Sequence, residues 1–232
     1  MPPQLHRSLT IPGPAGRLEA ILWSTSDDGG ITPPLAAIVC HPHPLFGGTM
    51  HNKVVYHTAK TIHRFGLPVV RFNFRGVGLS EGTHDNGVGE KDDVSAVIGF
   101  LSAEAPGLPL LLAGFSFGAW VGLRAGCEDP RVAEMIGLGL PVGSFDSRDF
   151  SYLNDCDKPK LLVCGEFDPY GPPNLLRPMV EKFPASVSQK TQVAVVEGGD
   201  HFFTGHLSDL ERTLAEWLVA RHPELAAREL RE

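Results

Sequence analysis

Short, largely apolar runs alternate along this chain with stretches whose apolar residues recur at every third or fourth position. Runs of the first kind lie at Leu35–Cys40, Pro68–Phe74, Leu108–Phe115, Glu134–Leu140, Lys160–Gly165 and Gln192–Val196. Each has the length of a strand, and an apolar side chain at nearly every position means burial on both faces. Stretches of the second kind fall near residues 52–65, 88–104, 117–127, 174–183 and 206–221, and they predict helices. Strand and helix in regular alternation predict an α/β fold, a mostly parallel sheet covered by helices on both faces. Pro109 has to stand at the very start of its strand, because it brings no amide hydrogen to the ladder. Ahead of this series, alternating stretches near 5–11 and 17–23 flank Pro12-Gly-Pro-Ala-Gly16. They predict an N-terminal antiparallel hairpin.

No repeat, low-complexity tract or linker interrupts the pattern, so residues 1–232 are expected to form a single domain. The net charge of −7, without any basic block, argues against nucleic acid and anionic membranes as partners. No run has the length of a membrane span, and Met1-Pro-Pro-Gln-Leu-His-Arg7 lacks the apolar core of a secretion signal. A cytoplasmic location is expected. The four cysteines, Cys40, Cys127, Cys156 and Cys164, show no C-x-x-C and no paired spacing, which fits a reduced compartment. The polar segment 141–158 leaves little room for a lid, so an open site is expected. A monomer or a homodimer is expected, the dimer if the last helix keeps an apolar face exposed.

The candidate chemistry begins at Gly114-Phe-Ser116-Phe-Gly118, which follows the apolar run Leu108-Pro-Leu-Leu-Leu-Ala113 and opens a helix. Strand, G-x-S-x-G, helix is the setting of a nucleophile elbow, in which a sharp turn lifts the serine hydroxyl above the carboxyl edge of a parallel sheet. A serine nucleophile needs a base for its proton and a carboxylate to orient that base. Both are expected on loops after later strands, in the order Ser, acid, His. Asp168 follows the strand Leu161–Gly165, and His201 follows Val193–Val196 within Glu197-Gly-Gly-Asp-His201. Asp146 and Asp149 are the alternative acids, one strand earlier; Glu166 is a loop carboxylate, and Asp200 adjoins His201 too closely to orient its ring. His201 must be neutral to act as base, so activity is expected to fall as the ring is protonated.

An oxyanion hole completes the expectation. The Phe117 amide stands directly after the nucleophile at the positive end of a helix. The second donor should come from His41-Pro-His-Pro-Leu-Phe-Gly-Gly48; Pro42 and Pro44 have no amide hydrogen, which leaves His43 and then Leu45. Phe46, Tyr170 and Phe202 fall in the loops that would line an apolar substrate pocket; Phe115 and Phe203, in the same region, read equally well as core.

These segments resemble the α/β-hydrolases. The stretch from His41 to Lys53 resembles a small, capless bacterial branch near the dienelactone hydrolases, and Arg75-Gly-Val-Gly-Leu-Ser80 is similar to the family's R-G-x-G-x-S loop. The resemblance implies an α/β-hydrolase fold and a serine hydrolase of small esters or thioesters, without metal or organic cofactor. Pro42 departs from the His-Gly-x that is usual in the oxyanion loop, and Ser116 replaces the cysteine nucleophile of dienelactone hydrolases. Against this stand two other chemistries. His41-x-His43 with His51 and His57 offers a metal reading, but no further ligand lies in that loop, and a rigid turn is the alternative. Gly76-x-Gly78 with Gly82 misses the dinucleotide spacing and reads as a tight loop that Arg75 could anchor by a salt bridge. A non-catalytic binding protein on the same scaffold would be expected to have lost one of the three residues.

Overall fold

A computed structural model describes residues 5–24, 33–143 and 148–227. The hairpin consists of β1 (Leu5–Gly13), which runs two residues further toward the turn than the alternation indicates, and β2 (Gly16–Ser24), which is one residue longer at each end. Then follow β3 (Ala36–Cys40), α1 (Lys53–Arg64), β4 (Val69–Phe72), α2 (Val88–Glu104), β5 (Leu110–Phe115), α3 (Phe117–Glu128) and β6 (Val132–Leu138). The chain continues through β7 (Lys160–Gly165), α4 (Pro173–Glu181), the single turn α5 (Ala185–Ser188), β8 (Thr191–Val196) and α6 (Leu207–Arg221). Short 3-10 turns lie at Pro44–Phe46, Ser151–Asp155 and Pro223–Ala227.

The eight strands form one sheet in the order β1-β2-β4-β3-β5-β6-β7-β8. β1 with β2 and β2 with β4 are antiparallel; every other pairing is parallel. The fold class is therefore as the pattern predicts. Because side chains alternate across a strand, each central strand feeds two cores. Ala36, Ile38, Cys40, Leu110 and Leu112 point to one face, where α2 supplies Val94, Val97, Ile98 and Leu101. Ala37, Val39, Leu111, Ala113 and Phe115 point to the other, against Val55, Ile62, Leu214 and Trp217 of α1 and α6. The apolar side chains Leu210, Leu214, Trp217 and Leu218 of α6 are thus spent on the core, and the exposed face that would have indicated a dimer is not there.

α3 packs against the sheet through a row of glycines. Gly118, Gly122 and Gly126 recur every fourth residue and so share one face. A Cβ on Gly118 would stand 2.6 Å from the Cys40 carbonyl oxygen, and one on Gly122 would stand 2.9 Å from Leu112 Cδ2. This contact seats the start of α3 on the ends of β3 and β5.

The cysteines correct the sequence expectation. Cys127, in the last turn of α3, and Cys156, just before β7, form a disulfide with Cα atoms 5.4 Å apart. Their separation of 29 residues carried no signal, because the fold creates the proximity by returning the chain through β6. Cys40 and Cys164 are buried free thiols, as expected.

Candidate active site

The carboxyl ends of β5, β7 and β8 lie along one edge of the sheet, with β6 between the first two, and the three candidate residues follow them. Ser116, between β5 and α3, has φ 55° and ψ −116°. A non-glycine residue seldom adopts this conformation, which costs about 1–3 kcal/mol and persists only where the surroundings enforce it. Here the enforcement is visible. The Ser116 amide donates to Leu138 O at 2.8 Å, while its carbonyl accepts from the amides of Ala119 and Trp120. On either side, the Gly114 and Gly118 backbones touch without an intervening Cβ.

His201 lies within a turn in which Asp200 Oδ1 accepts the amides of Phe202 and Thr204, each at 2.9 Å. That use of Asp200 leaves the orienting position to Asp168. His201 Nδ1 lies 2.8 Å from Asp168 Oδ2, and His201 Nε2 lies 3.1 Å from Ser116 Oγ. Asp168 is buried, and its Oδ1 accepts the amides of Tyr170 and Gly171 at 2.8 and 3.2 Å. The imidazole rests against Phe115 on one side and meets the rings of Tyr170 and Phe202. Glu166, an open case in the sequence, accepts the Gly198 amide at 2.9 Å and so ties the loop after β7 to the loop after β8. Of the alternative acids, Asp149 turns its carboxylate onto the Ser151 amide and hydroxyl, and Asp146 lies outside the described residues.

The loop after β3 is held by His41. This ring is fully buried at the end of β3, its Nε2 accepts the Phe74 amide at 3.0 Å, and its Nδ1 lies 2.6 Å from Pro42 O. A ring that accepts at one nitrogen and donates at the other is neutral, and burial pushes it down to about 4. Both nitrogens are occupied by the backbone, so His41 acts as the brace of a rigid turn and offers no lone pair to a metal ion. In the same loop, the Leu45 amide donates to His43 Nδ1 at 3.2 Å. The Leu45 amide is therefore engaged within its own turn. Across the site, the Phe117 amide is the first of α3 and has no carbonyl of its own helix to meet.

The loop after β4 is a buttress. Arg75 forms a two-pronged contact with the fully buried Asp93 of α2, at 2.8–3.1 Å, and its amide donates to the same carboxylate. Ser80 donates to Asn73 O at 2.7 Å and accepts the Glu19 amide at 2.9 Å, clipping the loop to the hairpin.

A cavity of about 300 Å³ opens above Ser116 and His201. Phe46, Tyr170 and Phe202 line it, and all three are exposed at its rim, whereas Phe115 and Phe203 are fully buried core. His43, Asn52, Pro141 and Arg148 line it too. Arg148 had no signal in the sequence: it lies in the polar stretch after β6, where spacing carries no information on which way a side chain turns.

The alpha/beta hydrolase domain family matches this chain over residues 46–222. A protein of Rickettsia prowazekii is 34% identical over 210 residues, 89% of this chain and 86% of that one. Among solved structures, an alpha-beta serine hydrolase homologue from Coxiella burnetii is 38% identical with a TM-score of 0.82, covering 91% of this chain and 97% of the other. An α/β serine hydrolase without a lid, from Xanthomonas campestris, is 34% identical with a TM-score of 0.78 and covers 93% and 94%.

Proposed function

The chain belongs to the alpha/beta hydrolase family, and on that premise we propose that it cleaves small carboxylic esters through an acyl-Ser116 intermediate. The observation that carries this reading is the unbroken path from Ser116 Oγ through the His201 ring to Asp168, at 3.1 and 2.8 Å. His201 Nε2 takes the hydroxyl proton as Ser116 Oγ attacks the ester carbonyl. The tetrahedral oxyanion is met by the amides of Phe117 and His43, each such donor worth about 3 kcal/mol in the transition state. His201 then gives the proton to the departing alkoxide, and an alcohol leaves. Water enters, loses its proton to His201, and attacks the acyl carbon. The carboxylic acid departs as the proton returns to Ser116. Asp168 stays ionised throughout and stabilises the imidazolium that forms twice per cycle. The apolar rim of Phe46, Tyr170 and Phe202 favours short acyl or alkyl groups.

Labelling with a fluorophosphonate tests the nucleophile directly. The wild-type protein should be labelled at Ser116, and Ser116→Ala should not. Ser116→Ala and His201→Ala should each lower kcat on p-nitrophenyl butyrate by at least about a thousandfold while thermal unfolding stays cooperative. Undiminished turnover in either variant overturns the reading.

A further inference from the structure

Asn52 lines the cavity above Ser116 and also opens α1. Its side-chain Oδ1 accepts the Val54 amide at 2.9 Å, the bond of an N-cap. Its backbone amide donates to Thr49 O at 3.0 Å, and its carbonyl accepts the Tyr56 amide at 2.8 Å. Three of its four polar groups are thus engaged inside the turn. The fourth is the side-chain NH₂, which bonds to none of the described residues. Turning the carboxamide over would set that NH₂ against the Val54 N–H, donor against donor, so the cap itself decides which end is which. A side chain that lines the reaction cavity is therefore locked with its two N–H hydrogens turned away from the helix and unused.

Resting on the hydrolase reading above, we propose that Asn52 recognises esters whose acyl group carries a second, uncharged acceptor oxygen, a ketone or an ether. Its place in the fold points to the acyl part. In the sheet, β3 and β8 lie on opposite sides of β5, so Asn52, which comes after β3, and His201, which comes after β8, flank Ser116. The departing alkoxide has to meet His201 for its proton, which turns the alcohol toward β8 and leaves the acyl group toward Asn52. A donor already held in one orientation loses little freedom when it meets an acceptor. Because a carboxamide is uncharged, a neutral oxygen answers it without stripping water from an ion.

The test compares p-nitrophenyl pentanoate with two esters of matched length, the 4-oxopentanoate and the 3-methoxypropanoate. Active sites are first counted with a fluorophosphonate. Dividing each kcat/KM by that for the pentanoate gives a ratio, and its change from wild type to variant cancels differences in intrinsic reactivity. Asn52→Ser keeps a capping oxygen for Val54 but withdraws the long donor, and Asn52→Asp keeps the cap while presenting oxygen where the NH₂ stood. Serine and aspartate cap as well as asparagine, so both variants should melt close to the wild type. For one or both probes the ratio should fall about fivefold in Asn52→Ser, and at least as far in Asn52→Asp. Ratios for both probes that survive in either variant overturn the proposal. So does an equal loss on all three esters, which would put Asn52 at the scissile carbonyl itself. If no ester is turned over and Ser116 takes no label, the hydrolase reading fails, and this inference with it. Labelled Ser116 with unchanged ratios rejects Asn52 alone.

Discussion

His41 lies outside the path from Ser116 to Asp168, yet its charge state bears on how the loop after β3 is held. The ring is neutral because it is buried and because Nε2 must accept the Phe74 amide. Its value in the fold, about 4, lies below the unfolded value of about 6.5. Unfolded chains therefore bind the proton first, and stability that is complete above about pH 6.5 declines as the pH falls toward 4. The full effect is on the order of 3 kcal/mol. Urea unfolding between pH 7 and 4 should show a shallower acid loss in His41→Gln than in the wild type; parallel slopes would contradict this. Asp168 permits a sharper argument. Its Oδ1 already accepts two amides, so in Asp168→Asn the carboxamide oxygen is claimed there and the NH₂ must face His201. That forces the hydrogen of the imidazole onto Nε2, where it blocks the base. We expect kcat to fall by roughly 10³–10⁴ with KM little changed; a parallel rise in KM would mean that Asp168 shapes the pocket instead.

At the level of elements, the glycine stripe of α3 sets how closely the nucleophile's helix approaches the sheet. A methyl group on Gly118 meets the backbone of β3, which cannot yield, whereas one on Gly126 meets Met135 Sδ at 3.0 Å, the flexible part of a long side chain. Gly118→Ala should therefore cost about 3 kcal/mol. Gly126→Ala should stay within about 1 kcal/mol of the wild type, because alanine also gains about 0.5–1 kcal/mol in a helix interior. Thermal melts that rank the two the other way would refute this seating of α3. Such contacts also mark where the sequence stops being legible. β7 and α2 are found at the residues that periodicity alone assigns, since their apolar pattern and their burial coincide. The expected strand Pro68–Phe74 ends early, at Phe72. Asn73 is drawn off by side-chain bonds to Met50 N and Glu19, which depend on tertiary neighbours. The one-turn α5 and the disulfide lie beyond periodicity for the same reason. For the candidate site, order along the chain singles out Ser116, Asp168 and His201, each of which directly follows a strand or its turn, and the fold brings the three within hydrogen-bond distance. Arg148 follows no such rule.

Across the whole molecule, the parallel strands bring three loops to one edge of the sheet, and none of the described residues covers the cavity formed there. Phe46 is 86% exposed and Phe202 52% exposed at the rim. An enzyme with a closing flap dries its own reaction chamber. On the ester reading proposed above, that task passes to the substrate, whose hydrocarbon sheds water against Phe46 and Phe202 before charge builds on the carbonyl. Each added methylene that reaches those rings should then raise kcat/KM roughly fourfold, the effect of about 0.8 kcal/mol. For p-nitrophenyl esters the rise should run from acetate to butyrate and level off once the chain outgrows the cavity; a flat series would contradict it. The guest, in other words, brings its own roof.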